Sequence, residues 1–363
     1  MAETGTTAVV LFNLGGPDRP EAVQPFLFNL FNDPAIIGLP QPLRWLLAKL
    51  ISGRRAPLAR EIYGKLGGGS PLLANTEAQA QALEAALNRE APGGRRYRVI
   101  IAMRYWHPRS DAAAQRVAAA GADRVVLLPL YPQFSTTTSA SSVRDWRRAA
   151  GAIGLTLPST MICCYPLESG LIEETAALVE QALTSAAKGG GRPRVLFSAH
   201  GLPKKVVTGG DPYQWQVEQT AAAVVAKLGE RGVAAELDWL VCYQSRVGPL
   251  EWIGPATDDE IARAGRDGVP LVVVPIAFVS EHSETLVELD IEYRELAEKS
   301  GVPAYVRVST VGAGAAFVAG LAKLVRRAEA AGPGLCAAQE GRLCPAAWRC
   351  CPNPAPPAAV AAG

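Results

Sequence analysis

Short, unbroken apolar runs punctuate this chain: AVVLFNL (8–14), RVIIAM (98–103), RVVLLPL (124–130), TMICC (160–164), RVLFSA (194–199), DWLVCY (238–243), PLVVVPIAF (270–278) and AYVRVST (304–310). Continuous rather than alternating hydrophobicity marks strands buried on both faces. Ala-rich stretches at 76–90, 110–120, 170–187, 214–229 and 257–266 lie between the runs and read as helices. Strand and helix in alternation predict an α/β protein with parallel sheets covered by helices. Four runs fall before about residue 165 and four after about 190, with SAAKGGGRPR (185–194) as the join. The pattern therefore predicts two similar Rossmann-like lobes, each a four-stranded parallel sheet flanked by helices, with a cleft between them. The expected divisions are 1–187, 188–325, and a Cys- and Pro-rich tail at 326–363. A long insertion rich in Pro, Leu and Trp separates the first strand from the first long helix.

Composition narrows the class. A chain of 363 residues suits two domains better than one core. Its 49% hydrophobic and 19% charged residues match a soluble globular enzyme. A net charge of +2 gives no reason to expect a nucleic-acid partner. The N-terminus shows no basic region followed by a long apolar stretch, and no run reaches the roughly 18 apolar residues of a membrane span. A cytoplasmic address is the resulting expectation. Without export, the seven cysteines are not expected to form stable disulfides. Cys336, Cys344, Cys350 and Cys351, crowded into the tail, look more like metal or cluster ligands.

Candidate chemistry sorts by position, because open parallel sheets bind ligands outside the carboxyl ends of their strands. His200 in FSAHGLP follows a strand, as do NLGGPD (13–18), MRYWHP (103–108) and LPLYPQFSTTTSASS (128–142). NLGGPD lacks the third glycine of a dinucleotide loop, and GGGS (67–70) has no following Lys, so neither cradles a phosphate. The hydroxyl run at 135–142 has capping of the next helix as its local role. FVSEHSETLVELDIEY (278–293) is harder to dismiss. Read as a helix, it stacks Glu281, Glu284, Glu288 and Glu292 on one face, where like charges repel by about a few tenths of a kcal/mol per pair. Carboxylates are hard ligands for first-row divalent ions, and a neutral His accepts protons near pH 7. The combination predicts metal delivery coupled to proton removal. Acyl transfer is not indicated, since no serine sits in a nucleophile elbow.

From about residue 8 to about 325 the chain resembles the ferrochelatases, which insert ferrous iron into protoporphyrin IX. The resemblance rests on LFNLGGPD, EIYGKLGGGSPL, MRYWHP, LPLYPQFSTTTSASS, LFSAHGLP, GDPYQWQV, YQSRVGPLEWIGP and PIAFVSEHSETLVELDIEY. It implies that His200 is the active-site histidine and Glu284 the glutamate across from it. It places Glu288 and Glu292 on the acidic path for the metal, and Leu14, Tyr63, Arg104, Tyr131 and Trp252 around the macrocycle. His107 and His282 are expected to be structural. Segment 34–59 corresponds to a lip over the pocket. Its apolar residues, interleaved with Arg44, Lys49, Arg54 and Arg55, also suit the inner surface of a membrane.

Some members of that family hold a 2Fe–2S cluster, which implies Cys163 or Cys164 as the body ligand with Cys336, Cys344 and Cys351 or Cys350. A zinc site or a reduced tail is the alternative, and Ser135 stands where animal members have cysteine. Fe2+ is expected as substrate. A coproporphyrin III chelatase and a non-catalytic carrier of tetrapyrrole or metal are the alternative functions, and oligomeric state is not readable.

Overall fold

The computed structural model describes residues 5–233, 236–246, 248–339 and 341–354. Its strands are β1 (Thr6–Asn13), β2 (Arg96–Met103), β3 (Arg124–Pro129), β4 (Ser159–Ile162), β5 (Arg194–His200), β6 (Asp238–Gln244), β7 (Leu271–Pro275), β8 (Tyr305–Arg307) and β9 (Gly334–Cys336). All pair in parallel. One sheet has the order β2-β1-β3-β4-β9 and the other β6-β5-β7-β8. The order 2-1-3-4 thus recurs as 6-5-7-8, the likeness of lobes expected from the repeated apolar runs. The first sheet departs from the expected four strands. Gly334–Cys336 of the tail adds a fifth, pairing Met161 with Leu335 beside β4. Three residues on an existing edge need no long apolar run, so no pattern announces them.

The helices are α1 (Val23–Phe31), α2 (Gln41–Gly64), α3 (Leu72–Arg89), α4 (Ser110–Ala119), α5 (Ser139–Ala152), α6 (Ser169–Ala186), α7 (Lys204–Thr208), α8 (Tyr213–Glu230), α9 (Thr257–Asp267), α10 (Tyr293–Lys299) and α11 (Ala315–Ala331). A π-helix, Glu284–Glu292, leads into α10. The chain exchanges helices between its sheets. Phe317, Leu321 and Val325 of α11 pack with Val9, Leu11 and Leu128 of the first sheet, together with Leu83 and Leu87 of α3. Ile172, Ala176, Val179 and Leu183 of α6 pack with Val195, Phe197, Val272 and Val274 of the second.

Buried polar side chains fasten the halves further. Gln79 Nε2 donates to Val279 O and Gly312 O, at 2.8 and 2.9 Å, while Ser280 Oγ donates back to Gln79 Oε1. Asp211 accepts from Ser135 Oγ, Thr136 N and Thr136 Oγ1. The hydroxyl run therefore reaches across to the second half. Thr138, the residue before α5, makes no side-chain cap bond, so the expected capping role does not hold.

The insertion forms α1 and α2. Ala48, Ser52 and Ala56 give α2 a small-residue face that is buried. Leu39, Leu43, Leu46 and Leu50, spaced for one helical stripe, are 40–58% exposed. No helix among the described residues is long and apolar enough to cross a membrane.

Candidate active site

In both sheets the chain leaves a central strand in opposite directions, which opens a crevice at the carboxyl ends of that strand and its neighbour. In the second sheet the crevice lies between β5 and β7. His200 closes β5, and the loop after β7 runs into the π-helix. His200 Nδ1 meets Glu284 Oε2 at 2.8 Å. Burial favours the neutral imidazole, but the Glu284 carboxylate beside it outweighs that and raises the His200 pKa. Burial likewise pushes Glu284 up, and the His200 imidazolium, with help from the Ser245 hydroxyl, carries it down to about 2. The pair is thus one in which each group favours the charged form of the other. It is open to the cleft, with side-chain exposures of 39% and 29%, so water screens part of the attraction.

His282 plays a different part. Its Nδ1 accepts the Glu284 backbone N–H at 3.1 Å, which requires the neutral tautomer with the proton on Nε2. Burial lowers its pKa in agreement.

Glu288 is bound from several sides. Ser245 N donates to Oε1 at 2.8 Å, Tyr293 Oη donates to the same oxygen at 3.1 Å, and Gln244 Nε2 and Ser245 Oγ donate to Oε2. Burial and the Glu284 charge nonetheless raise its pKa. Ser245 Oγ also lies 3.5 Å from Glu284 Oε2, so one hydroxyl spans the two carboxylates. Its backbone has φ 61°, a left-handed conformation uncommon outside glycine, which aims N–H and Oγ at the same carboxylate. Ser245 and Gln244 lie in the quoted YQSRVGPLEWIGP, but only a backbone angle reveals their task.

The carboxylate ladder is shorter than a helical reading of 278–293 predicts. Glu281 precedes the π-helix and pairs with Arg307, which also grips Asp290. It accepts the Thr310 N–H as well. Glu281 is thus a structural ion-pair member, bound to Arg307, Thr285 and the Thr310 N–H. Glu292, at the outer end, is half exposed, with Lys65 Nζ 3.9 Å away.

The residues expected around a macrocycle fall in separate packing clusters. Leu14 and Tyr63 pack with Tyr105, Trp106 and Phe26 of the insertion cluster. Ser283 Oγ is 3.5 Å from Tyr63 Oη, joining α2 to the start of the π-helix. Gly15 turns the chain after β1 at φ +83°, and a Cβ there would come within 2.9 Å of Trp106 N. Tyr131 packs against the opposite side of the first sheet. Trp252 stands beside His200, because Gly201 lets the strand approach it: a Cβ on Gly201 would lie 2.9 Å from Gln244 O and 3.3 Å from the Trp252 ring. Arg104 is committed elsewhere. Its guanidinium donates to Asp33 Oδ2 and Ser141 Oγ, each at 2.7 Å, and its side chain is 11% exposed. Nothing in the sequence marks Asp33 as the residue that would hold it.

The tail cysteines lie against the body. Cys163 N donates to Cys336 O, Gln216 Nε2 donates to Cys344 Sγ at 3.0 Å, and Cys163 Sγ lies 3.5 Å from Cys164 Sγ. The free Cys344 and Cys351 thiols interact side chain to side chain, which holds Cys351 down and Cys344 up. Among the described residues no group of three or more His, Cys, Asp or Glu side chains is arranged to hold a metal ion. The expected cluster set Cys163, Cys336, Cys344 and Cys351 is not among such groups, although Cys163 lies near enough to push up the pKa of both Cys336 and Cys344, and residues 340 and 355–363 of the tail lie outside the described residues. In the crevice likewise, His200 and Glu284 bond each other rather than presenting an open set.

The family model described as Ferrochelatase matches residues 6–329. A protein of Caulobacter vibrioides named Ferrochelatase is 55% identical over 352 residues, covering 96% of this chain and 98% of that one. One from Phenylobacterium zucineum is 56% identical over 344 residues, covering 92% and 96%. Among solved structures, SirB from Bacillus subtilis with Fe3+ superposes with a TM-score of 0.51 at 13% identity, covering 89% of this chain and 95% of that chain, a likeness of fold.

Proposed function

This chain belongs to the ferrochelatase family, and from that premise we propose that it inserts Fe2+ into protoporphyrin IX, with His200 and Glu284 handling metal and pyrrole protons. The observation that carries the reading is the His200–Glu284 ion pair at 2.8 Å in the switch-point crevice, backed by Glu288 through Ser245.

A flat porphyrin keeps two N–H protons in plane and offers an ion no path to its nitrogens. Binding energy from the large apolar ring, spent on tilting pyrroles out of plane, is the available source of strain. Leu14, Tyr63, Tyr131 and Trp252 supply apolar surface of that kind. The ion enters by Glu292 and Glu288, hard oxygen ligands that bind without trapping it. At the inner end His200 must be neutral before it can accept a proton from a pyrrole, and a proton it carries leaves to water in the open cleft. An arriving dication favours that loss, because it replaces the proton as the positive partner of Glu284. The pair then accepts the pyrrole protons as the metal moves into the ring.

Two features support protoporphyrin over the four-carboxylate coproporphyrin III. Arg104, a cation that would suit an extra carboxylate, already serves Asp33, and the α2 lip is apolar. Anaerobic ferrous insertion assays with each porphyrin test this. Preferred turnover of protoporphyrin is expected. Turnover of coproporphyrin alone would move the protein to that substrate, and tight porphyrin binding without turnover of either would leave a carrier.

The exposed Leu39–Leu43–Leu46–Leu50 stripe, with Arg44, Lys49, Arg54 and Arg55 near it, supports peripheral contact with an anionic membrane surface. Flotation with anionic vesicles should carry the wild-type protein upward and leave Leu43→Asp/Leu46→Asp behind. Equal flotation of both would sink the idea.

A further inference from the structure

The π-helix ends in an unusual junction. Tyr293 N–H bonds Glu288 O, five residues back, and from Tyr293 the helix continues as α10. Where such a wide ladder gives way to ordinary i→i+4 bonds, one carbonyl is passed over. The carbonyl next after the last wide bond is Leu289 O, on a residue whose side chain is fully buried. An unpaired carbonyl in such a place is strongly disfavoured. Tyr305 on β8 supplies the missing donor, its Oη donating to Leu289 O at 2.8 Å.

The same strand grips the neighbouring turn. Arg307 holds the Asp290 carboxylate with two nitrogens, and Arg294 of α10 donates from Nε to Asp290 O at 3.1 Å and from Nη1 to Tyr305 O. At the other end Gln244 Nε2 donates to Glu284 O at 3.1 Å. Side chains from the sheet thus fasten the wide helix where its register changes.

Resting on the metal-handling role given above to Glu284 and Glu288, we propose that Tyr305 is a positioning residue for metal insertion. Its phenol fixes the place where the wide helix stops. That stop sets the rotation of every residue before it, and so aims Glu284 at His200 and Glu288 at Ser245. Without the hydroxyl, the helix relieves Leu289 O by taking up i→i+4 bonds, and both carboxylates turn away from their partners.

Tyr305→Phe keeps the ring and removes only the donor. Three measurements on the full chain test it: initial rates with Fe2+ and porphyrin varied separately, Co2+ titration without porphyrin, and amide exchange across residues 284–294. The metal KM and the Co2+ Kd should each rise about tenfold, the scale of one lost hydrogen bond to a buried acceptor. The porphyrin KM should change little, and faster exchange should be confined to the π-helix and its junction. An unchanged metal KM and Co2+ affinity would overturn the proposal. So would a loss of kcat that tracks the folded fraction with no split between the two KM values. Wild-type protein that binds Co2+ but inserts no iron would refute the chelatase reading instead, leaving the cobalt and exchange results to decide the role of Tyr305.

Discussion

His200→Ala lowers iron insertion by about 10²–10⁴-fold, the usual contribution of a positioned acid or base, while porphyrin binding followed by its visible spectrum persists. Two losses act together. The group proposed to exchange protons at the crevice is gone, and Glu284 loses the imidazolium that carries it down to about 2. With that attraction gone, burial pushes its carboxyl upward, which weakens it as a metal ligand. A variant retaining near-normal kcat would exclude His200 from the chemistry.

The same variant has a pH signature in stability. The Glu284 pKa is depressed, so its contribution is present above 4.5, its unfolded value, and fades as pH falls toward about 2. The His200 pKa is raised, so its contribution is complete below 6.5 and is lost as pH rises through the higher folded value. Wild-type and His200→Ala stabilities should therefore differ most between 4.5 and 6.5 and converge on the alkaline side. A gap that widens with rising pH would contradict the ion pair.

Asp33→Ala is expected to be the most damaging single change to stability outside the apolar core. Its carboxylate, 0% exposed, takes bonds from Arg104 and Tyr105, from Ser141, and from Ala35 N at 2.9 Å. Arg144 completes the set at 3.2 Å. Burial alone would raise the Asp33 pKa; Ser141, the Ala35 amide and Arg104 together lower it. Truncation strands the Arg104 charge with Asp145 as its nearest remaining carboxylate, 3.8 Å away. Removing one partner of a buried pair costs about 3–5 kcal/mol, a large share of the about 5–15 kcal/mol that holds a typical protein folded. Urea unfolding reads the loss directly. The sign of the shift fixes its pH dependence: the gap should hold above 3.8 and close only as pH falls through the depressed value. A gap below about 1 kcal/mol would show that Arg104 finds other partners.

Strands β1 to β8 were legible because a parallel strand covered on both faces must be apolar at nearly every position. His200 and Glu284 were legible because each follows such a strand. What the chain's pattern conceals is geometry that departs from regular periods. Glu281 fits an α-helical face on paper, but the helix starts after it and is wide, leaving Glu281 to Arg307. Ser245 depends on one left-handed backbone angle, and Asp33 acts through partners at positions 104, 105, 141 and 144, too far along the chain to be associated by spacing. The tail cysteines are countable in the sequence, but their placement depends on where β9 and Gln216 draw the tail.

The exchange of α6 and α11 makes the molecule indivisible. Cut at the join near residue 190, the leading piece would keep α6 without the sheet that its apolar face covers, and its own sheet would lie bare where Phe317, Leu321 and Val325 belong. The trailing piece would carry the reverse deficit. Neither half is a self-sufficient unit, although each repeats the same strand order. If the repetition descends from an ancestral doubling, the copies have since traded parts, and a chain assembled on the ribosome cannot complete its first layer until its last helix has emerged.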